Sequence, residues 1–497
     1  MPHSIADLMH RTGVGFGNGG IRAPATELDD AVVYAFTHAF LDHLRQAGHL
    51  DRVRQVPVGG DLRPSSTAIM RAAAAAIADS GLFPVNAGRL PAPALAWHAL
   101  HHHVPAVLVT GSHMSTESNG LKFFRPDGDA GRADETALRR QPVVLPSQRF
   151  DQQARMHGGV PLGETDHTIE SGWRERLKTF LRPEGLTGWK VGVVEQSTTA
   201  REPLVALLEA LGAGVTRLGR RETFLALDTE DLPSAWEEAG PLWVRKHGLD
   251  ALISADADGD RPLLATAEGT WLRGDRVGAL AAREFGASTV VTPVTSTSAI
   301  EASEWFGVVH RTRVPSPELG AALHQEAARA GQGDGAVVGF AAHGGLLTAS
   351  PLAMEGRTLP PLPSRDGVLP ALLALQAAAR RGCSLAALDR ELPDRHTDST
   401  KLTGFTREWV AELAEDFKSG SDEARQQLGA ALDLPAPVTA IDTYDGIRAT
   451  LGDGSVVHLR ASGNARVLRI YVEADSREAA RELRDRVAAR AAATWCA

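Results

Sequence analysis

The stretch from Val107 to Arg125 reads VLVTGSHMSTESNGLKFFR: an apolar run, a glycine-marked turn carrying Ser112 and His113, then Asn119-Gly120-Leu121-Lys122. The pattern predicts a strand whose carboxyl end exposes a hydroxyl and an imidazole, the end at which open α/β sheets bind ligands. A hydroxyl nucleophile, an adjacent imidazole and a nearby ammonium are suited to moving a phosphoryl group.

Upstream, Val33, Phe36, Phe40 and Leu44 follow helical spacing behind Asp29 and Asp30, which can cap the first turn. A strand near Val53 to Val58, a helix opened by Ser65 and Ser66, a strand at Phe83 to Asn86, another helix and the strand Ala106 to Thr110 come next. This alternation predicts a mostly parallel sheet with crossover helices. The polar, Gly- and Arg-rich stretch from about Asp127 to Gly172 reads as a linker plus the start of a second unit. The rhythm then resumes, with strands at Trp189 to Val194, Ala251 to Ser254, Thr289 to Val294 and Gly335 to Phe340 and a helix at Arg201 to Leu211. The last hundred residues break it. Asp442 to Ala449, Val456 to Leu459 and Leu468 to Glu473 alternate like half-exposed antiparallel strands before an Arg- and Ala-rich helix, which predicts a smaller α+β domain.

A chain of 497 residues exceeds what one core organises, and 43% apolar content is enough to fold without a partner. The net charge of −9 argues against a general nucleic-acid binder. Cys383 and Cys496 are too few and too far apart for a disulfide framework, and MPHSIADLMHRTG has no apolar secretory core. No apolar run is long enough to span a bilayer, Ala72 to Ala78 included. A cytoplasmic protein without membrane partners is the expectation.

Directly behind a strand stands Asp256-Ala257-Asp258-Gly259-Asp260-Arg261. Three carboxylates at alternate positions can converge on one hard cation such as Mg²⁺, an acidic surface turn being the other reading. A calcium EF-hand loop is excluded, because Arg261 stands where glycine is needed and Ala267 where glutamate is. Arg460-Ala461-Ser462-Gly463-Asn464 combines a guanidinium, a hydroxyl, a flexible backbone and an amide, a nest for a phosphate monoester or an ordinary hairpin. Gly15 to Gly20 matches GxGxxG formally, but no apolar strand precedes it, so it reads as a flexible loop presenting Arg22 to an anion. His98, His101, His102 and His103 read as a helix end where cationic side chains suit the dipole. No P-loop and no GxSxG elbow occurs.

In their order these motifs resemble the α-D-phosphohexomutase superfamily, specifically bacterial phosphomannomutase/phosphoglucomutase enzymes, over essentially the whole chain. Phe16-Gly17-Asn18-Gly19-Gly20-Ile21-Arg22 resembles the N-terminal FGTSGxRG loop, Ser112-His113 with Asn119 to Lys122 the phosphoserine loop, and Asp256 to Arg261 the DxDxDR magnesium loop. Gly339-Phe340-Ala341-Ala342-His343-Gly344-Gly345 resembles a GFEANGG-like sugar loop, and Arg460 to Asn464 the RxSG phosphate loop. The resemblance implies four domains around a central cleft: three related mixed-sheet α/β domains (1–150 with the phosphoserine loop, 151–256 with the metal loop, 257–395 with the sugar loop) and a TATA-binding-like α+β domain (396–497).

It also implies a mechanism. Phosphorylated Ser112, beside Mg²⁺ held by Asp256, Asp258 and Asp260 and by Ser112 itself, passes its phosphoryl group to a hexose phosphate. The bound bisphosphate reorients, and Ser112 takes back the other phosphate. Lys122 and His113 would handle protons and charge, Arg22 and Arg261 would offset phosphoryl charge, and Arg460, Ser462, Gly463 and Asn464 would hold the phosphate that is not reacting. Arg311 and Arg313 are further candidate contacts. Hexose 1,6-bisphosphate is the implied activator, a small sugar phosphate the partner, and a monomer or homodimer the assembly.

Departures from the pattern bear on substrate. Ala341 stands where the sugar-reading glutamate is expected, with His343 two positions on; Asn18-Gly19 replaces a Thr-Ser pair; Ala23 replaces glycine; and Met114 to Ser118 lacks a proline. Two readings follow: a working mutase whose His343 and neighbours read the sugar, or a catalytically altered, non-catalytic sugar-phosphate-binding homologue.

Overall fold

The computed structural model describes residues 4–17, 20–153, 155–157, 160–314, 316–331, 335–462 and 466–495. Asn18, Gly19, Gly463, Asn464 and Cys496 lie outside them. Contacts divide the chain into two compact units: Met1–Thr289 with Leu323–Asp389, and Val290–Ala322 with Arg390–Ala497.

In the first unit the leading sheet runs in the order Gly15–Gly17, Gly20–Pro24, Ser118–Arg125, Ala106–Val109, Gln55–Gly60, Phe83–Arg89, with Gly128–Asp129 hairpinned onto Ser118–Arg125. Only Ala106–Val109, Gln55–Gly60 and Phe83–Arg89 are mutually parallel. The sheet is therefore mixed, as the resemblance implied, where the alternation of elements alone predicted a mostly parallel one. The reason is local: residues 110–117 are too few for a crossover, so Ser118–Arg125 must return antiparallel beside Ala106–Val109. Ala106–Val109 is buried at every position, which is why it reads as a continuous apolar run. Helix Asp30–Gln46, capped by the Asp29 carboxylate accepting from Val32 N at 2.8 Å, packs Val33, Phe36, Phe40 and Leu44 into this core.

The predicted linker contains more structure than its composition suggested. Arg132–Arg140 and Thr168–Phe180 are helices, and Asp134 is buried against His43 at 2.8 Å and Arg125 at 3.2 Å. The second sheet orders Pro262–Ala265, Ala251–Ala255, Lys190–Val194, Gly214–Leu218, parallel except for the hairpin joining Ala251–Ala255 to Pro262–Ala265. Ala336–Gly339, Leu346–Thr348 and Leu362–Asp366 pair antiparallel in the same unit.

The second unit carries the predicted α+β pattern: His396–Thr403, Val467–Ala474, Val456–Ala461, Ile447–Leu451, Val438–Asp442, all antiparallel. The single strand expected over Asp442 to Ala449 is the tip of a hairpin between the last two of these. Helices Arg407–Phe417, Asp422–Leu432 and Arg477–Trp495 bring Phe417, Leu428, Leu483 and Val487 onto Leu459, Leu468 and Ile470. Among the described residues no helix is long and apolar enough to cross a membrane.

Candidate active site

The Ser112 turn follows its strand as the sequence indicated. Ser112 is buried and takes a left-handed backbone at φ 50°, a conformation costing a non-glycine residue about 1–2 kcal/mol. Its amide donates to Thr110 Oγ1 at 2.8 Å, and Met114 N closes the turn onto Gly111 O at 3.0 Å. Ser112 Oγ donates to Asp256 Oδ2 at 3.0 Å and lies 3.5 Å from His113 Nδ1. The hydroxyl and the acidic loop, far apart in sequence, thus share one site.

That acidic loop is a tight hairpin turn. Gly259, at φ 68°, donates its amide to Asp256 O at 3.1 Å, while Asp256 Oδ1 accepts from the amides of Asp260 and Arg261 at 3.0 and 3.1 Å. One oxygen from each of Asp256, Asp258 and Asp260 falls within 4.8 Å of the others. All three residues are buried, and both oxygens of Asp258 and Oδ1 of Asp260 have no hydrogen-bond partner among the described residues. Burial and mutual repulsion raise the pKa of Asp256 well above the ordinary aspartate value and that of Asp258 above it. For Asp260 burial acts in the same direction, but Arg365, Lys122 and Arg261 outweigh it and hold the group ionised. Orphaned, oxygen-only, mutually repelling donors fit a hard divalent cation.

Cations ring the trio. Arg365 Nη2 lies 2.8 Å from Asp260 Oδ2, Lys122 Nζ lies 3.7 Å from the same oxygen, and Arg261 Nε is 3.9 Å from Asp256 and 3.8 Å from Asp260. Burial lowers the Arg261 pKa, yet Asp228, Asp256, Asp260 and Glu230 more than restore it, so this guanidinium stays charged. Its presence pushes His113 down to about 3, with burial adding to the effect, so that imidazole is neutral at neutral pH. Lys122 reaches the site from Ser118–Arg125, where it pairs with Leu108. Arg22 belongs to the strand Gly20–Pro24, not to a flexible loop; burial lowers its pKa, and Asp258 is the strongest of the charges that oppose this.

The loop from Ala341 to Gly345 follows strand Ala336–Gly339 as predicted. Gly344 N turns back to Ala341 O at 2.8 Å, and His343 Nδ1 accepts from Gly345 N at 3.2 Å, which leaves the proton on Nε2. Burial, then Arg261 and Arg365, keep His343 neutral. No Cβ fits at Gly345, where it would stand 2.3 Å from Asp260 O, so this loop rests directly on the metal loop's backbone.

Arg460 lies in the second unit, on strand Val456–Ala461, buried, with Asp445 Oδ2 3.3 Å from Nε. Ser462 N bonds to Val467 O at 2.9 Å. Arg311 and Arg313 are not free contacts. Arg311 forks onto Glu301 at 2.7 and 2.6 Å and onto the carbonyls of Pro293, Ser296 and Thr297, and Arg313 donates to Tyr444 O at 2.9 Å.

The histidine run sits at the end of helix Ala92–His102 as expected, with His103 its left-handed C-cap; within the run burial pushes His98 down to about 4 and lowers His102. Ser65 and Ser66 open helix Ser66–Asp79 as expected, and their hydroxyls, instead of capping it, accept from Asn119 Nδ2 at 2.8 and 3.0 Å.

Sequence reasoning missed the support beneath Ser112. Asp61 and Arg63, both fully buried, form an ion pair, and Arg63 Nη2 donates to the carbonyls of Ser112 at 3.0 Å and Met114 at 2.5 Å. Arg365 was also missed. In each case an Asp-Arg or Arg-Asp grouping at a strand's carboxyl end was the available signal: Gly60-Asp61-Leu62-Arg63 and Arg365-Asp366.

Comparison with known proteins agrees with this geometry. Family models described as phosphoglucomutase/phosphomannomutase match residues 13–141 (alpha/beta/alpha domain I) and 404–490 (C-terminal domain). A phosphomannomutase of Sinorhizobium fredii is 36% identical over 94% of this chain and 96% of its own length. One from Salmonella muenchen is 33% identical over 96% and 95%. The crystal structure of a phosphoglucomutase/phosphomannomutase family protein from Burkholderia thailandensis shares the fold, with a TM-score of 0.70 over 96% of both chains at 19% identity.

A mixed α/β fold of this kind, with a serine turn against an acidic trio, defines a phosphohexomutase, an isomerase that acts as a phosphosugar mutase. The chain belongs to the phosphoglucomutase/phosphomannomutase family.

Proposed function

We propose that the enzyme interconverts a hexose 1-phosphate and 6-phosphate through phosphorylated Ser112. The observation that carries this reading is the 3.0 Å approach of Ser112 Oγ to Asp256 inside a buried trio of carboxylates. Asp256, Asp258 and Asp260, with an oxygen of Ser112, would hold Mg²⁺, which supplies charge neutralisation to a transferring phosphoryl group when bound. The serine-borne phosphoryl passes to the free hydroxyl of the sugar phosphate, regenerating the Ser112 hydroxyl; the resulting bisphosphate, reversed in the site, returns its other phosphoryl group to Ser112. Hexose 1,6-bisphosphate would accordingly prime the serine.

Lys122 and Arg261 bring fixed positive charge to the reacting phosphoryl, joined by Arg22. Neutral His113 offers the hydroxyl a hydrogen-bond partner. Arg460 and Ser462, with Gly463 and Asn464, would grip the phosphate that is not reacting, which orients the sugar. The buried position of the Arg460 guanidinium on strand Val456–Ala461, immediately before this loop, supports that reading. The Ala341 side chain can accept no hydroxyl hydrogen bond, so the His343 Nε2 proton takes over part of sugar reading by donating to a sugar oxygen. The domains run 1–150, 151–256, 257–395 and 396–497, and the two isolated cysteines suit the reducing cytoplasm.

The test is intact mass together with turnover. The purified enzyme carries one phosphoryl group that Ser112→Ala removes, and it interconverts mannose or glucose phosphates given catalytic bisphosphate, whereas Ser112→Ala loses at least about a thousandfold. Full turnover by Ser112→Ala would end the reading.

A further inference from the structure

We propose that Asp61, Arg63 and Thr110 form a positioning relay that holds the backbone of Ser112 in its left-handed conformation and so aims Oγ at the acidic trio. This inference rests on the reading of Ser112 as the phosphoryl carrier. Both backbone polar groups of Ser112 end on the relay: the amide donates to Thr110 Oγ1 at 2.8 Å, and the carbonyl accepts from Arg63 Nη2 at 3.0 Å. The same Arg63 nitrogen holds Met114 O at 2.5 Å, so one guanidinium grips both ends of the turn from Ser112 to Met114.

Asp61 ties the grips together. Its Oδ2 accepts from Thr110 Oγ1 at 2.9 Å and Gly111 N at 3.3 Å and pairs with Arg63 Nη1; its Oδ1 accepts from Arg63 N at 3.0 Å and Ser66 Oγ at 2.7 Å. Phe224 covers the guanidinium with its ring centre 4.4 Å from Cζ. Gly111 lies so close that a Cβ there would meet Arg63 Cζ at 2.6 Å.

Stability alone is a poor reason for this arrangement. Asp61 and Arg63 are 0% exposed, and an ion pair so deeply buried is often matched or bettered by packed apolar side chains. What apolar side chains cannot supply is a set of directed bonds to an amide and two carbonyls of a strained turn. Rigidity there matters because small misplacement of a reacting atom is costly in rate. The bonds of the relay end on the Ser112 turn, and the charge that Arg63 would exert on Arg22 is offset by its ion pair with Asp61, so the turn is its main route to the chemistry.

Thr110 permits a gentle test. Thr110→Val keeps the shape and removes both hydroxyl bonds, whereas Thr110→Ser keeps the hydroxyl. In steady-state mutase assays Thr110→Val should lower kcat by about ten- to a hundredfold with KM for the sugar phosphate within about threefold, and Thr110→Ser should recover most of it. Single-turnover assays of the phosphorylated protein should show Thr110→Val sending a larger share of its phosphoryl group to water than wild type does. Arg63→Lys, which keeps the charge but loses the planar fork, should show the same split. Wild-type kcat in Thr110→Val, or equal loss in the valine and serine variants, would overturn the relay. If Ser112→Ala itself turned over, the underlying reading would fail first, and the two failures are separately visible.

Discussion

Asp258 brings two carboxylate oxygens into the protein with no hydrogen-bond partner among the described residues, and its neighbours Asp256 and Asp260 lie within ligand distance. The folded chain without metal holds protons on Asp256 and Asp258 more tightly than the unfolded chain does. Through linkage, their contribution to stability falls as pH rises above the ordinary aspartate value of about 3.9. Asp260 has the opposite sign, since its stabilisation is present above that value and lost in acid. In chelator-treated protein Asp256 and Asp258 should therefore lower Tm as pH rises above about 4. Saturating Mg²⁺ should raise Tm by about 3–6 °C, the increment growing with pH. An increment independent of pH, measured by calorimetry with and without EDTA, would contradict this account. At this scale the nucleophile and the three carboxylates were legible because each motif is contiguous. Asp61, Arg63, Thr110 and Arg365 were not, because their meaning lies in what they touch across long sequence separations.

The loops that carry chemistry are set by how closely backbones approach. Gly345 faces Asp260 O where a Cβ would stand at 2.3 Å, and Gly367 faces Arg261, with its own amide 3.1 Å from Gly259 O. Gly345→Ala should destabilise the protein by about 1–3 kcal/mol and weaken Mg²⁺ binding by roughly tenfold, as read by thermal melts and calorimetric titration. Gly172→Ala is the control: it lies in helix Thr168–Phe180 with nothing within 4 Å of the added carbon, so it should be neutral or stabilising by up to about 1 kcal/mol. Similar losses in both variants would refute the close-approach argument. Strands and long amphipathic helices were legible at this scale. Helix Arg132–Arg140 was not, because its polar composition resembles a loop; Leu138 in the core and Asp134 against His43 and Arg125 reveal its seat.

For the whole molecule, the second unit joins Val290–Ala322 to Arg390–Ala497, segments separated in sequence by part of the first. Bonds stitch them: Ser298 N donates to Glu473 at 3.0 Å, Val314 N to Asp445 Oδ2 at 2.9 Å, and Arg313 to Tyr444 O at 2.9 Å. A chain ended after Arg395 would leave these donors unpartnered, each at a cost of about 1–3 kcal/mol where buried. Such a truncation should melt at least several degrees below the intact protein and lose mutase activity; a fragment with unchanged Tm would show that residues 396–497 contribute nothing to the fold of residues 290–322.

Taken by itself, the sequence determined the alternating α/β order, the antiparallel C-terminal part, the serine turn and the acidic loop, because hydrophobic period and short-range motif chemistry are properties of contiguous residues. Tertiary structure alone decided that Ser112 Oγ meets Asp256, that Arg311 is already occupied by Glu301 and three carbonyls, and that Asp61 and Arg63 lie buried beneath the nucleophile. Each of these depends on atoms hundreds or tens of positions apart meeting within hydrogen-bond distance, and neither composition nor spacing encodes such a meeting.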